Sequence, residues 1–336
     1  MASIEMTTHQ QLPRVTASLI RRIGDAIAPR GVGEGRLCIV NYHRVLASPD
    51  PLLESEPSIA TFRWQLALLK QCFNVVRLAD AVQTMATGRM PPRAVAITFD
   101  DGYRSTHDLA LPILQEFGLP ATVFVTTSHI EAEGSMWNDV ILEAVRRLPA
   151  TPIDLRALGL GVYQMQTPLD RKATAHALVE SCKYLPPPAR SALTGTLQAL
   201  ACNDLQQDLM LSAEMVRTLS RSQVDIGGHT VSHPILTRVD DDVARREIVD
   251  NKQHLETIIG KPVTLFAYPN GKRGVDYDVR HVQMVREAGY HAAFTTATGA
   301  ATRHDHPFEL PRSRPWDRGR LMFAGRLLSW LNGRNT

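Results

Sequence analysis

The sequence predicts an α/β protein built on a mainly parallel sheet, either open or closed into a barrel. Three observations support this fold class. Short apolar runs at residues 37–41, 94–99 and 121–126 are typical of buried strands. Segments with helical periodicity alternate with such runs, and repeated strand–helix units give parallel strands. Polar residues directly follow several of these runs, and active sites of parallel α/β folds assemble at the carboxyl ends of their strands.

The predicted elements follow an N-terminal extension, residues 1–35, which ends in a glycine-rich hinge. The first half then contains strands at 37–41, 94–99 and 121–126, and helices at 61–73 and 107–117. The second half contains strands at 223–227, 264–268 and 291–295, and helices at 240–259 and 278–288. Asp240 can cap the longest of these helices, and Gly260 is placed to end it.

Residues 135–222 interrupt this alternation. Their pattern is helical and is broken by Leu-Pro-Pro-Pro at 185–188. We expect a helical insertion beside the main fold rather than an independent domain. The domain organisation is then a main domain at 36–320, containing the insertion, and a C-terminal tail at 321–336.

Composition excludes several classes of protein. The formal net charge of +3 is too small for a typical nucleic-acid-binding domain. The four cysteines form no C-x-x-C pair, which argues against a disulfide framework and a cysteine-rich zinc site. No apolar run is long enough for a transmembrane helix and no signal peptide is recognisable, so a cytoplasmic location is expected.

The segment at 14–29 leaves two alternatives open. It reads either as a short basic amphipathic helix in peripheral contact with the inner membrane face, or as an N-terminal helix that is solvated or docked on the protein.

The run Thr-Phe-Asp-Asp-Gly at 98–102 ends a predicted strand with two adjacent carboxylates. Two close carboxylates do not both ionise cheaply without a compensating cation, and a bound metal supplies one. The alternative is that Asp100 caps the following helix and Asp101 is solvated.

A second polar segment, His-Thr-Val-Ser-His at 229–233, also follows a predicted strand. One helical turn would place His229 and His233 on the same face. Two imidazoles and a carboxylate form a three-ligand divalent-metal site with open positions for water. The alternative is a pair of ordinary polar histidines at a strand–loop junction.

A third segment follows the strand at 264–268 and contains Tyr268, Pro269, Asn270 and Gly271. The proline and glycine shape a loop whose backbone amides can face a ligand and stabilise a developing oxyanion. The alternative is a simple turn.

Together these segments resemble the polysaccharide deacetylases, carbohydrate esterase family four, over about residues 36–315. The first two motifs are intact and the third is altered. The resemblance implies a distorted (β/α) barrel with fewer than eight strand–helix units. Its activity would be hydrolysis of an N-acetyl group.

The resemblance also implies residue roles. Asp101, His229 and His233 correspond to the ligands of one divalent metal ion, with zinc as the expected ion. Asp100 corresponds to the general base that deprotonates the attacking water. Thr230 occupies the small hydroxylic position between the histidines and is grouped with the substrate and oxyanion residues.

Three departures from the family pattern stand out. Ala267 occupies the position of an arginine that orients the base. The family's Asp-Trp motif has no clear match, and Asp276 or Asp278 are the available substitutes. The late Leu-x-x-His motif bearing the general acid is absent, although His304 and His306 lie in that region.

Two further segments offer replacements. The strand at 37–41 leads into Tyr42 and His43, and a subset of poly-N-acetylglucosamine deacetylases is similar to a circularly permuted form with such a Tyr-His strand. His43 is therefore predicted to be the general acid, with a packed core histidine as the alternative. Arg312 and Arg314 follow a candidate final strand, where they either hold an anionic substrate group, pair with Asp100, or are solvated.

The predicted function is removal of N-acetyl groups from an amino sugar in a glycan or lipid-linked oligosaccharide, during cell-envelope or exopolysaccharide biosynthesis. Two alternatives remain: a metal-dependent amidase acting on a non-sugar small molecule, and a catalytically weak glycan-binding protein of the same fold.

Overall fold

The computed structural model describes residues 11–27, 34–130, 135–201, 208–314 and 317–334. Their contacts divide the chain into two compact units. The larger unit comprises Met1–Ser48, Ser55–Ile130 and Leu211–Thr336, and the smaller comprises Pro49–Glu54 and Glu131–Met210.

The strands and helices are numbered in chain order. The strands are β1 Leu37–Tyr42, β2 Asn74–Val75, β3 Ala94–Phe99, β4 Ala121–Val125, β5 Ile153–Asp154, β6 Val162–Tyr163, β7 Val224–Gly228, β8 Leu265–Ala267, β9 Ala292–Phe294 and β10 Ala300–Ala301. The α-helices are α1 Arg14–Ile27, α2 Ile59–Cys72, α3 Leu78–Ala86, α4 Leu111–Phe117, α5 Trp137–Arg147, α6 Pro168–Lys183, α7 Pro187–Leu200, α8 Ala213–Arg221, α9 Asp241–Ile259, α10 Val279–Glu287 and α11 Arg320–Leu331.

The larger unit is a curled, mostly parallel sheet with the strand order β10-β1-β3-β4-β7-β8-β9. Short β2 pairs with β3, and β10 is antiparallel to β1. Residues 310–313 connect strand β9 to strand β1 across the gap in the curled sheet. Leu310 forms backbone hydrogen bonds with Ala293 and Thr295, and Ser313 forms them with Ile39 and Asn41. The predicted distorted (β/α) barrel is confirmed, and its six predicted strands correspond to β1, β3, β4, β7, β8 and β9.

Strand alternation decides which side chains enter the barrel. On β1, Leu37 and Ile39 point into an inner apolar cluster, whereas Cys38 and Val40 join the outer cluster beneath the helices. On β3, small Ala94 and Ala96 occupy the inner positions. Continuing the same two-residue period places Asn41, Thr98 and Asp100 toward the interior at the carboxyl ends of their strands.

Helices cover the outside of the sheet near their predicted positions. A π-helical turn at Thr106–Ala110 precedes α4, where the sequence predicts one continuous helix. Helix α9 ends at Gly260, whose φ of 67° is the left-handed conformation common after a helix. Among the described residues, no helix combines the length and apolar character needed to cross a bilayer.

Both terminal segments contain packed helices. Helix α1 buries Ala17 and Ile20, as the docked alternative predicts. Helix α11 buries Phe323, Leu327 and Trp330 in the outer cluster of the larger unit. The segment at 321–336, which the sequence analysis treats as a tail, therefore contains a core helix.

The smaller unit contains α5, α6, α7 and the β5–β6 hairpin around its own apolar cluster, with Ile141, Leu178 and Leu197 fully buried. Its second segment ends at Met210. Helix α8, which the sequence analysis assigns to the insertion at 135–222, lies in the larger unit.

Candidate active site

Asp101, His229 and His233 converge at the carboxyl ends of the strands. One ligand atom from each lies within 4.8 Å of the others. The Nε2 atoms of His229 and His233 lie 3.3 and 3.4 Å from Asp101 Oδ1. The three residues predicted as metal ligands therefore form one compact cluster in a largely buried position.

Left-handed backbone at several non-glycine residues makes this convergence possible. Asp101 has a φ of 73°, which turns its carboxylate away from the strand alternation that directs Asp100 inward. Thr230 and His233 have φ values of 67° and 56°, and no helical turn joins the two histidines. The predicted helical turn is thus replaced by a loop with two left-handed residues. Such strain clusters at functional sites, where the surrounding structure enforces it.

Asn251 on α9 holds this loop in place. Its Nδ2 donates to the carbonyl oxygens of Thr230 at 2.6 Å and Val125 at 3.0 Å, and its Oδ1 accepts from the His229 amide at 3.1 Å. Asn251 is fully buried, so these bonds satisfy a polar group that would otherwise be costly. Asn251 belongs to none of the sequence motifs described above. The available signal was a polar residue on the buried face of a long amphipathic helix.

Thr230 shapes the loop from within. Its hydroxyl donates to the His229 carbonyl at 2.5 Å and accepts from the His233 amide at 3.1 Å. The residue is completely buried. The hydroxyl therefore holds the backbone of the two histidines together, and the grouping of Thr230 with the substrate and oxyanion residues stays a prediction.

Asp101, His229 and His233 suit a divalent cation. Asp101 Oδ1 is buried and accepts no hydrogen bond within the described part of the chain. Burial raises the pKa of Asp101, but the adjacent histidines outweigh it and hold the pKa well below its usual range. Burial lowers the pKa of His233 to about 4, which keeps its imidazole neutral and able to ligate.

His229 is oriented by the strand beside it. Its Nδ1 lies 2.7 Å from the Ala267 carbonyl oxygen, so a proton on Nδ1 leaves the Nε2 lone pair directed at the cluster. Burial lowers the pKa of His229, but the nearby carboxylates of Asp101 and Asp100 raise it overall. A cation bound to the cluster would compete for the same lone pair.

Asp100 is held by a buried arginine. Arg312 donates from Nη1 to Oδ1 at 2.6 Å and from Nη2 to Oδ2 at 2.7 Å, and Asn41 donates to Oδ2 at 3.0 Å. Burial raises the pKa of Asp100, yet the Arg312 charge outweighs it and lowers the pKa below its ordinary value. Of the roles predicted for Arg312, the structure shows pairing with Asp100.

Arg312 supplies the arginine contact that the third motif lacks, since that motif has Ala267 instead of an arginine. It lies in the 310–313 segment that bridges β9 and β1, and its guanidinium packs 5.0 Å from the Phe124 ring centroid. An arginine from another part of the chain thus performs the orienting contact. Arg314 differs, since it pairs with Glu56.

His43 directly follows β1 and faces the same group of residues. It lies beside Asp100, because Tyr42 pairs with Phe99 and the Tyr42 carbonyl oxygen accepts a hydrogen bond from the Asp100 amide at 2.9 Å. Its Nδ1 is buried without a hydrogen-bond partner among the residues described here. The half-buried position leaves part of the ring open to a ligand.

The third motif contributes backbone rather than its tyrosine side chain. Tyr268 is buried, stacks on Tyr277 at 3.9 Å and donates its hydroxyl to the Phe308 carbonyl at 3.1 Å. Pro269 precedes two left-handed residues, Asn270 at a φ of 59° and Gly271 at 72°. A Cβ on Gly271 would lie 2.8 Å from the Thr296 amide nitrogen, so this turn needs glycine.

The other acidic and histidine candidates have different surroundings. Asp276 accepts a hydrogen bond from the Lys272 amide at 2.9 Å, and Asp278 caps α10. His304 and His306 line a cavity of about 500 Å³ that is also lined by residues following β8 and β9.

Comparison with known sequences identifies relatives. The family model for polysaccharide deacetylase matches residues 87–293. A putative polysaccharide deacetylase, YxkH of Bacillus subtilis, is 19% identical over 280 residues, which cover 83% of this chain and 71% of that protein. The poly-beta-1,6-N-acetyl-D-glucosamine N-deacetylase of Staphylococcus epidermidis is 32% identical over 105 residues, but these span only 27% of this chain and 36% of that protein.

Solved structures share the fold. The Streptococcus pyogenes deacetylase PplD, determined in complex with acetate, has a TM-score of 0.57 at 18% identity, with 88% of this chain and 98% of that chain covered. IcaB from Ammonifex degensii has a TM-score of 0.58 at 18% identity, with 88% and 97% covered. The family match spans more than half of the sequence and includes the Asp-Asp and His-x-x-x-His segments. This chain therefore belongs to the polysaccharide deacetylase family.

Proposed function

We propose that this chain is a metal-dependent hydrolase that removes N-acetyl groups from an amino sugar within a polysaccharide or oligosaccharide. The observation that carries the proposal is the placement of Asp101, His229 and His233 around one point, next to a carboxylate that Arg312 keeps ionised. Amide hydrolysis needs both an electrophilic centre and a base, and this arrangement provides a place for each.

Asp101, His229 and His233 would hold the metal ion. A bound divalent cation supplies carbonyl polarisation and a lowered pKa for the attacking water. Two imidazole nitrogens and one carboxylate oxygen form a donor set that zinc accepts while retaining open positions, so zinc is the ion we propose.

Asp100 would act as the general base and accept the proton of the attacking water. Arg312 and Asn41 fix the orientation of the carboxylate and keep it ionised. The same arginine reduces its basicity, because a lowered pKa makes a weaker base. The water must therefore be acidified for the proton transfer to be efficient.

Two further groups would complete the reaction. His43 would protonate the departing amine, since an amide nitrogen leaves poorly without a proton. The backbone at Asn270 would present an amide to the developing oxyanion. The circularly permuted arrangement that gives His43 this role stays a prediction.

An N-acetylated glycan is the substrate class we favour. The Staphylococcus epidermidis relative is named for de-N-acetylation of poly-beta-1,6-N-acetyl-D-glucosamine. A role in exopolysaccharide biosynthesis follows from that similarity. The altered third motif and the absent late histidine motif are the features that favour the alternative, a catalytically weak glycan-binding protein. Against it, Arg312 supplies the arginine contact which the third motif lacks.

The test is acetate release from a panel of N-acetylated oligosaccharides and cyclic amides, using protein stripped with EDTA and then given zinc. We expect zinc-dependent acetate release from the sugars in the wild type and none in His229→Ala. His176→Ala, which replaces an exposed histidine of the smaller unit, is the matched control and should behave like the wild type. Zinc-independent turnover, or turnover of the cyclic amides alone, would rule out this function.

A further inference from the structure

Helix α1 exposes an apolar stripe on the side opposite its packed face. Val15, Leu19 and Ile23 recur every four residues and are 82%, 56% and 44% exposed. Residues four apart lie on one face of a helix, so the three side chains form a continuous line. The opposite face buries Ala17 and Ile20. The exposed line is therefore not needed for docking α1 onto the larger unit.

Helix α11 adds two more exposed apolar side chains, Leu321 at 62% and Met322 at 64%. The two helices are neighbours within the larger unit. Arg320 donates to the Gln11 carbonyl at 3.4 Å, and a Leu328 methyl lies 3.0 Å from the position that a Cβ on Gly24 would take. We call the set Val15, Leu19, Ile23, Leu321 and Met322 the α1–α11 face.

Basic residues accompany this face. Arg14, Arg21 and Arg22 are exposed; at 100° per residue Arg22 lies beside Val15 at the edge of the α1 stripe, whereas Arg14 and Arg21 lie further round the helix, toward its packed face. Asp25 is the only acidic residue in α1, and it pairs with Arg93. Helix α11 carries Arg320 directly before Leu321 and Met322, and its second arginine, Arg326, pairs with Asp317. The apolar face is thus bordered by positive charge.

We propose that the α1–α11 face docks on the surface of an anionic lipid bilayer, with α1 lying in the plane of the interface. Apolar side chains flanked by arginines match both the acyl boundary and the negative headgroups. A second copy of this chain would bring the same arginines toward each other and so fits less well. Exposed apolar surface of this kind marks an interaction site. The proposal does not depend on the deacetylase chemistry.

The experiment is flotation of the full-length protein with vesicles of phosphatidylcholine alone or mixed with phosphatidylglycerol. Wild type should float with the anionic vesicles and much less with the neutral ones. Leu19→Glu should lower the partition coefficient about tenfold or more, because it places a carboxylate in the apolar stripe. Leu169→Glu is the matched control, since Leu169 on α6 is 74% exposed but lies in the smaller unit, and it should float like wild type.

Arg22→Gln should weaken binding to anionic vesicles while leaving the weaker binding to neutral vesicles unchanged. Unchanged thermal unfolding of Leu19→Glu would show that the fold is intact. The proposal is overturned if the wild type does not bind anionic vesicles. It is equally overturned if Leu19→Glu and Leu169→Glu weaken binding by the same amount. It is also overturned if Leu19→Glu instead abolishes a dimer seen by light scattering, because the face would then join two copies.

Discussion

Replacing Arg312 by methionine tests whether this guanidinium keeps Asp100 ionised. Arg312 is completely buried, the Asp100 side chain is 5% exposed, and two charge-assisted hydrogen bonds join them. Removing one partner of a buried pair costs roughly 3–5 kcal/mol, because the other charge stays buried. Asn41 still donates to Asp100 in the variant. We therefore expect the free energy of unfolding to fall by about 3 kcal/mol at pH 7, near the lower limit of that range.

The loss of unfolding free energy in Arg312→Met should become smaller as the pH falls. The folded pKa of Asp100 lies below its ordinary value, so the pair contributes stability above that ordinary value and loses it as pH falls through the folded pKa. Without Arg312, burial dominates and the folded pKa rises above the unfolded one. The buried carboxyl then takes up a proton as pH falls, and the difference between wild type and variant should shrink from pH 7 toward pH 4.

The measurement is urea unfolding of both proteins in EDTA at several pH values, followed by acetate release after zinc is added. Arg245→Met, which breaks an exposed pair with Glu287, is the control and should cost no more than about 1 kcal/mol. Combining Arg312→Met with Asp100→Asn should show a coupling of about 0.5–3 kcal/mol. A cost below about 1 kcal/mol for Arg312→Met, with no dependence on pH, would refute this account of the pair.

Four other outcomes are expected. His233→Ala should lose both bound divalent metal and acetate release, and full occupancy by metal analysis would remove it from the ligand set. Asp100→Asn should keep the metal but lower kcat about 100- to 10,000-fold, so a near wild-type kcat would exclude it as the base. His43→Ala should retain metal and substrate binding while kcat falls, and an unchanged kcat would place the acid elsewhere. Residues 135–222 expressed alone should show no cooperative thermal transition, whereas a sharp one would identify an independent domain.

The local parts of this fold could be predicted from the sequence. Short apolar runs ending in polar residues locate β3 and β7, and the Asp-Asp and His-x-x-x-His segments lie directly after them. Strand order placed both at one edge of the sheet. The backbone conformation could not be predicted as well, because the left-handed value at Thr230 depends on a hydrogen bond from Asn251 on helix α9.

Long-range partners could not be assigned from one sequence. Arg312 was singled out with its pairing left open, since nothing in the sequence near Asp100 specifies a partner 212 residues away. Asn41 was not singled out, although a polar residue inside an apolar strand was the available signal. Tyr268 was assigned to substrate from its motif, but stacking on Tyr277 directs it into the core.

The pairing of Asp100 with Arg312 also delays assembly of the candidate site during synthesis, because the two residues are 212 positions apart. At roughly 5–20 residues per second, about 10–40 s separate the emergence of the carboxylate from that of its arginine. The bridge between β9 and β1 is added by the same late segment. Until then the nascent chain has an incomplete sheet and an acidic group without its counter-ion, so chaperones that shield apolar surface have this interval in which to act. Asp100 can gain this counter-ion only after Arg312 has been synthesised.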